Sequence, residues 1–364
     1  MTSLSPQVAN SPIPVAPISS GPLVVHALES QDAERWDRFV LRHPVGTFFH
    51  QMAWKRVLEK TFDHKAQYVY AERGGEIVAV APVFMVSNWM VGRCLVSSPL
   101  ASYGGICAED DEAEQALLEF LKQQSREQRV DYLELRNSCG GTLPGFVANP
   151  RYSSFSMTLS KDPDAVLKGL PKDIRYMIRK AEKADLHVRR GPELLDEFYK
   201  LFAINMRRLG TPVFPRALFA NLLEQFGKQI DVQIVYAGSE PVASAVSFIF
   251  RDTFHPYYIG GLPVARDLAA NNFLWWELMK FAAQSGMNTF DFGRSKKGTG
   301  AYAFKKKWNP KITDLDYQVF LVKRKTAPNF SPANPKFELA TTIWKRMPLG
   351  ITRILGPRVV RWFP

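Results

Sequence analysis

Cysteine is scarce in this chain: there are three in 364 residues, Cys94, Cys107 and Cys139, with no C-x-x-C spacing between them. The six histidines are scattered, with no H-E-x-x-H or similar pairing. These absences exclude a disulfide framework, a structural zinc and a metal hydrolase, and they fit a reducing cytoplasm. A membrane-spanning run is missing as well. The uncharged stretch from Ile77 to Gly92 includes Pro82, Ser87 and Asn88 and falls short of the ~20 apolar residues a span needs. The first 22 residues carry no charge and are rich in Pro and Ser. They lack the basic start and apolar block of a signal peptide, so residues 1–22 read as a disordered lead-in.

What the chain does have is an apolar fraction of 46%, enough for a substantial core, and a length that suggests two domains. Its charge is unevenly placed. Residues 1–165 hold 15 Lys and Arg against 19 Asp and Glu, a net of −4, whereas residues 166–364 hold 32 against 16, a net of +16. The second part is therefore expected to face an anionic partner.

An internal repeat sets the architecture. "VYAERGGEIVAVAPVF" (Val69 to Phe84) is similar to "VYAGSEPVASAVSF" (Val235 to Phe248), and each reads as a β-hairpin with Gly in the turn. Further on, "YGGI" at Tyr103 precedes the amphipathic helix "EQALLEFLKQQSREQRV" and the strand "DYLELRNS". At Tyr258, "YIGGL" precedes "NNFLWWELMKFAAQSGM" and the strand "TFDFGRS". The offset is 156 from Gly105 to Gly261 and 157 from Ser138 to Ser295. Each copy thus predicts hairpin, strand, crossover helix and parallel strand. The class is α/β (α+β): two tandem domains over 23–165 and 166–325, each a mixed, mostly antiparallel sheet flanked by helices, then a tail over 326–364.

Between the copies, "LPKDIRYMIRKAEKADLHV" predicts a helix started by Pro171, with Ile174, Met177, Ile178 and Ala181 on one face. Lys172, Arg175, Arg179 and Lys183 make a basic stripe on the other. Charge stripes are commonly solvated faces. Like charges four apart cost a few tenths of a kcal/mol each, which favours a partner for Arg175 and Arg179.

This order of elements resembles the FemAB family, whose members carry two GNAT-type acyltransferase domains in tandem. Phe49, Gln51 and Trp54 in "FFHQMAWKRVLEKTF" are similar to the family's Phe-x-Gln-x-x-x-Trp opening, with two residues in place of three between Gln51 and Trp54. "LPKDIRYMIRKAEKADLHV" resembles its Arg-rich helix, "FLWWELMKFAAQSGMNTFDFG" its Trp-Glu helix and Asp-x-Gly strand, and "GAYAFKKKW" its Tyr-x-Phe-Lys element. The FemAB-like proteins encoded with PEP-CTERM/exosortase exopolysaccharide systems also end in a basic, Trp-containing tail. The resemblance implies transfer of an aminoacyl or acyl group to an amine. In the better-known branch the donor is aminoacyl-tRNA and the acceptor a peptidoglycan precursor, and no cofactor is held.

"FDFGRSKKGTGAYAFKKKW" (Phe290 to Trp308) is the expected site. A kinase reading of Asp291-Phe292-Gly293 lacks the Gly-rich loop, strand lysine and H-R-D loop, and a Walker reading lacks Gly-Lys-Ser/Thr opening a helix. Acyl transfer needs oxyanion stabilisation, a placed amine and a proton carrier. Lys305 is expected to supply fixed charge, Tyr302 to exchange a proton or hold the acceptor, and Asp291 to orient the amine. A mobile loop through Gly293, Gly298 and Gly300, with Arg294, Ser295, Lys296 and Thr299, is expected to meet anionic oxygens. Tyr258, Arg266, Asn272 and Trp54 join the expected binding residues.

GNAT enzymes that use acyl-CoA hold its pyrophosphate on a Gly-rich turn at the crossover helix. In the first copy Asp110, Asp111, Glu112 and Glu114 occupy that place and would repel phosphate. In the second, "ARDLAANNF" has Arg266 but puts Ala269 and Asn271 where glycines would stand. The expected donor is therefore aminoacyl-tRNA, with acyl-CoA as the alternative. Asn271 or Asn272 is expected to cap the helix. The tail from Lys323 onward is basic and amphipathic, broken by Pro348 and Pro357, and predicts either peripheral contact with the inner membrane or packing onto the second domain. A non-catalytic scaffold binding an anionic polymer or membrane stays open beside the cytoplasmic transferase.

Overall fold

The computed structural model describes residues 21–137, 141–328 and 338–363. The expected lead-in, up to residue 20, and Cys139 lie outside them.

Both predicted hairpins form. Val69–Arg73 pairs antiparallel with Glu76–Ala81, and Ile230–Ala237 with Glu240–Phe250. The first turns on Gly74 and Gly75 at φ 58 and 84, a left-handed region that glycine enters without a Cβ penalty. The predicted crossovers form too. Gly92–Ser97 leads through the helix Asp111–Glu127 to the parallel strand Tyr132–Arg136, and Thr253–Gly261 through the helix Ala270–Gln284 to the parallel strand Thr289–Lys296.

The two copies differ in how their sheets bend. In the first, the strands divide between a four-stranded and a six-stranded sheet. The break falls at Pro82, which has no N–H for the ladder, and its carbonyl accepts from the Ser98 amide at 2.9 Å. The second copy keeps one seven-stranded sheet.

Strand ownership departs from the sequence reading. Tyr152–Thr158, assigned to residues 23–165, lies in the second sheet between Thr289–Lys296 and Lys311–Asp314. Tyr317–Leu321, assigned to residues 166–325, pairs in the first sheet with Tyr132–Arg136 and Val147–Ala148. A cut at 165/166 therefore does not separate the sheets.

The linking helix spans Lys172–Glu182 with Pro171 as its N-cap. It buries Ile174, Ile178 and Ala181 against the crossover helix Ala270–Gln284. A second core joins the two halves: Phe48 stacks on Phe248 with ring centroids 4.2 Å apart, and Trp54 packs edge-on to both Phe48 and Phe49. Trp54 is fully buried. It is thus a core residue and not the binding residue expected from the opening motif, and truncating it to Ala would cost about 3–5 kcal/mol.

The tail forms the helices Glu338–Arg346 and Leu349–Val360, with Pro348 between them and Pro357 inside the last turn. Both pack on the helix Leu195–Leu209 of the second half. The chain then returns to the first half, where the Asn88 side-chain amide donates to the Trp362 carbonyl at 2.9 Å.

Candidate active site

Thr253–Gly261 and Thr289–Lys296 pair at Thr253–Thr289 and Phe254–Phe290, and beyond that the ladder ends. Past that point the first strand stays paired with Glu240–Phe250 and the second with Tyr152–Thr158, so the two part. A cavity of about 540 Å³ opens in this wedge. His255, Tyr258, Gly293, Arg294 and Ser295 line it from the strands, Phe202 and Met206 from the helix Leu195–Leu209, and Phe304 and Lys305 from the segment after the second strand.

That segment is more ordered in shape than the expected loop. Gly293 belongs to the strand, and Gly300–Lys306 is a short helix whose N-cap, Thr299, accepts from the Tyr302 amide at 3.3 Å. The buried Trp308 follows the helix. Lys305 reaches back to the strand, donating to the carbonyls of Gly293 (3.3 Å) and Arg294 (2.9 Å), with its ammonium 5.7 Å from the Phe155 ring centroid. Burial lowers its pKa from 10.5 to about 8; Asp291 opposes that shift and Arg294 adds to it.

Asp291 sits behind the cavity wall and is 9% exposed. One carboxylate oxygen accepts from the Gly293 amide at 2.7 Å and from the Tyr103 hydroxyl at 3.3 Å. The other lies 3.7 Å from Nδ1 of His255, an ion-pair distance and not a hydrogen bond. His255 Nε2 is buried with no partner among the described residues. Burial lowers the histidine's pKa; Asp291 opposes this and Lys305 adds to it. An imidazole held neutral with a free lone pair can accept a proton.

Gly293 makes this arrangement possible. It has φ 72, beside a register shift that opposes Phe155 to Gly293 and Ser156 to Asp291. An added Cβ would stand 2.8 Å from His255 Nε2.

Of the expected site residues, the structure brings Lys305, Arg294, Ser295 and Tyr258 to the cavity and sets Asp291 against its wall. The Tyr258 hydroxyl is buried and unpartnered among the described residues. Arg294 donates to the Tyr317 hydroxyl at 2.6 Å and stacks over Tyr152.

Others fall elsewhere. Tyr302 turns its ring edge-on to Phe155 and does not line the cavity. Lys296 ends the strand outside the lining. Arg175 is tied to the carbonyls of Lys168 and Leu170, and Arg179 is exposed on the linking helix, which contributes nothing to the cavity wall. Arg266 is exposed in the turn before the crossover helix. Neither asparagine caps that helix. Its N-cap is Ala269 at φ 55, and Asn271, not Asn272, lines the cavity.

His255 and Tyr103 were the residues the sequence reading missed. His255 lies in the aromatic strand Thr253–Gly261, where the one signal was a polar side chain among buried neighbours, and Tyr103 lies in the irregular stretch before Gly104 and Gly105. In the first copy, the acidic residues expected to repel phosphate serve structure: Asp110 caps the helix Asp111–Glu127, and Arg73 pairs with Asp110 and Glu112.

Comparison with known proteins bears on the fold. Residues 169–306 match the acetyltransferase (GNAT) domain family. No curated protein matches the chain. Among solved structures the chain is similar to FemX, with a TM-score of 0.64 at 15% identity, covering 87% of this chain and 100% of that one. It is also similar to the C-terminal domain of a protein described as a lysylphosphatidylglycerol synthetase from Agrobacterium fabrum (TM-score 0.54, 13% identity, 80% of this chain and 92% of that one). A tandem GNAT protein from the clavulanic acid biosynthesis pathway matches with a TM-score of 0.52 at 9% identity, over 85% of this chain and all of that one (100%). The chain thus has the tandem GNAT fold, and its second half carries an acyltransferase domain of the GNAT type.

Proposed function

We propose that the wedge cavity transfers an aminoacyl group from aminoacyl-tRNA to an amine on a cell-envelope or exopolysaccharide precursor. The observation that carries this reading is that Lys305 and His255, whose Nε2 has no partner among the described residues, line one cavity. The acceptor nitrogen attacks the donor carbonyl carbon, forming the new C–N bond, and gives its proton to His255 Nε2. Asp291, 3.7 Å from Nδ1, favours the imidazolium that results. The tetrahedral oxyanion meets the charge of Lys305. Collapse breaks the ester C–O bond, and the departing ribose oxygen takes the proton from His255.

Two features support tRNA over CoA. Ala269 holds a left-handed backbone at a cost of about 1–2 kcal/mol for a residue with a Cβ. Ala269 and Ala270 are both buried, which leaves less open backbone at the helix start for a pyrophosphate. The +16 net charge of residues 166–364 suits a polyanionic donor.

The test is incubation with charged tRNA and, separately, acetyl-CoA, with amine acceptors, using wild type and Lys305→Ala. Transfer from tRNA, lost in Lys305→Ala while donor binding persists, is expected. Incorporation from CoA alone overturns the donor, and unchanged turnover in the variant overturns the site.

A further inference from the structure

A second chamber, of about 530 Å³, adjoins the first and shares Leu100, Phe214 and Arg294 with it as a common wall. Its far side is apolar and built from the tail, by Trp344, Val359, Trp362 and Phe363. Its near side carries Arg151 and Arg294, whose bonds go to the Pro328 carbonyl (2.9 Å) and the Tyr317 hydroxyl (2.6 Å), with no carboxylate partner among the described residues. Arg136, by contrast, is already neutralised by Glu134 at 2.9 Å. The chamber therefore pairs a hydrocarbon-lined end with two guanidiniums lacking counter-charges. That charge pattern complements an anionic head on an apolar chain.

The outer surface of the same two helices leaves Leu339, Ile343, Ile351 and Ile354 exposed, interspersed with the exposed Lys345, Arg346, Arg353 and Arg358. Trp89, 78% exposed, stands beside Trp362 at the chamber rim, with ring centroids 5.4 Å apart. Apolar and basic residues mixed on short helices suit an anionic bilayer surface.

We propose that this chamber receives the chain of an anionic, membrane-borne lipid, its phosphate between Arg151 and Arg294, so that an amine carried on the head reaches the wedge cavity. Only the role of that lipid as acceptor rests on the acyl-transfer reading; the binding itself does not.

The test uses vesicles containing phosphatidylglycerol with a fluorescent NBD-labelled acyl chain, and phosphatidylcholine carrying the same label, with the full chain and no acyl donor. Wild type should raise NBD emission with the anionic lipid at least tenfold more strongly than with the zwitterionic one. Ala340→Trp, at the chamber wall, should lose that rise tenfold or more while still sedimenting with the vesicles. Arg151→Gln, which leaves the apolar wall intact, should abolish the preference for the anionic lipid. Equal emission from Ala340→Trp and wild type, or an equal rise with phosphatidylcholine, overturns the proposal. Because no donor is present, such a result leaves transfer at Lys305 standing; uptake by a chain that transfers nothing does the reverse.

Discussion

Replacing Lys305 with Met should make the protein more stable at neutral pH and nearly inactive. The ammonium is held among carbonyls and aromatic rings, and its pKa falls from 10.5 to about 8, chiefly through burial. At ~1.36 kcal/mol per pH unit, that fall corresponds to roughly 3 kcal/mol, which partial solvent access reduces to about 2 kcal/mol. The sign follows from proton counting. Between pH 8 and 10.5 the unfolded chain keeps a proton that the folded chain has released, so wild-type stability rises with pH across that window. Below pH 8 wild type bears the whole cost of the buried charge, whereas the methionine variant bears none. Urea unfolding should show Lys305→Met ahead of wild type by about 2 kcal/mol at pH 7, with the advantage shrinking towards pH 10.5. Activity should move the other way. Loss of a fixed charge aimed at the oxyanion costs about 10²–10³ in rate, and wild-type turnover should decline as pH rises through about 8. A methionine variant no more stable at pH 7 than wild type, or wild-type activity unchanged from pH 7.5 to 9.5, would refute the assignment of a strained cationic lysine.

Further outcomes are expected at neighbouring positions. His255→Gln should lower the transfer rate by about 10²–10⁴, the range for removing a general base, without weakening donor binding measured by filter retention. Because burial lowers the histidine's pKa, wild-type transfer should hold as pH drops to 6.5 and fall only in more acidic solution. Gly293→Ala should destabilise by more than about 1 kcal/mol, because the residue needs φ 72 and the new methyl meets His255 Nε2 at 2.8 Å; thermal unfolding and the transfer rate, measured together, check this.

Much of the frame is legible in the sequence. The repeat marked both crossovers because a hairpin, a helix and a strand each carry their own periodicity, and "GAYAFKKKW" drew attention to Lys305, which the fold brings to the cavity. What stayed hidden was non-local. "YSSFSMT" alternates equally well in either sheet, so its pattern could not tell which one Tyr152–Thr158 joins. His255 gains its meaning from Asp291 and Gly293, which approach it only where two strands part. Tyr302 and Trp54 misled because an aromatic side chain that packs and one that binds look alike in sequence. The asparagines before the crossover helix looked like caps, yet Ala269 turned the backbone there.

The exchanged strands make each half dependent on the other during synthesis. The second sheet takes an inner strand that leaves the ribosome well before most of it, and the first stays incomplete until Tyr317–Leu321 arrives. Two separately expressed halves, divided at 165/166, should each expose an unsatisfied ladder and aggregate, yet recover a joint fold when mixed early. A chain built on such an exchange cannot be halved without opening both sheets.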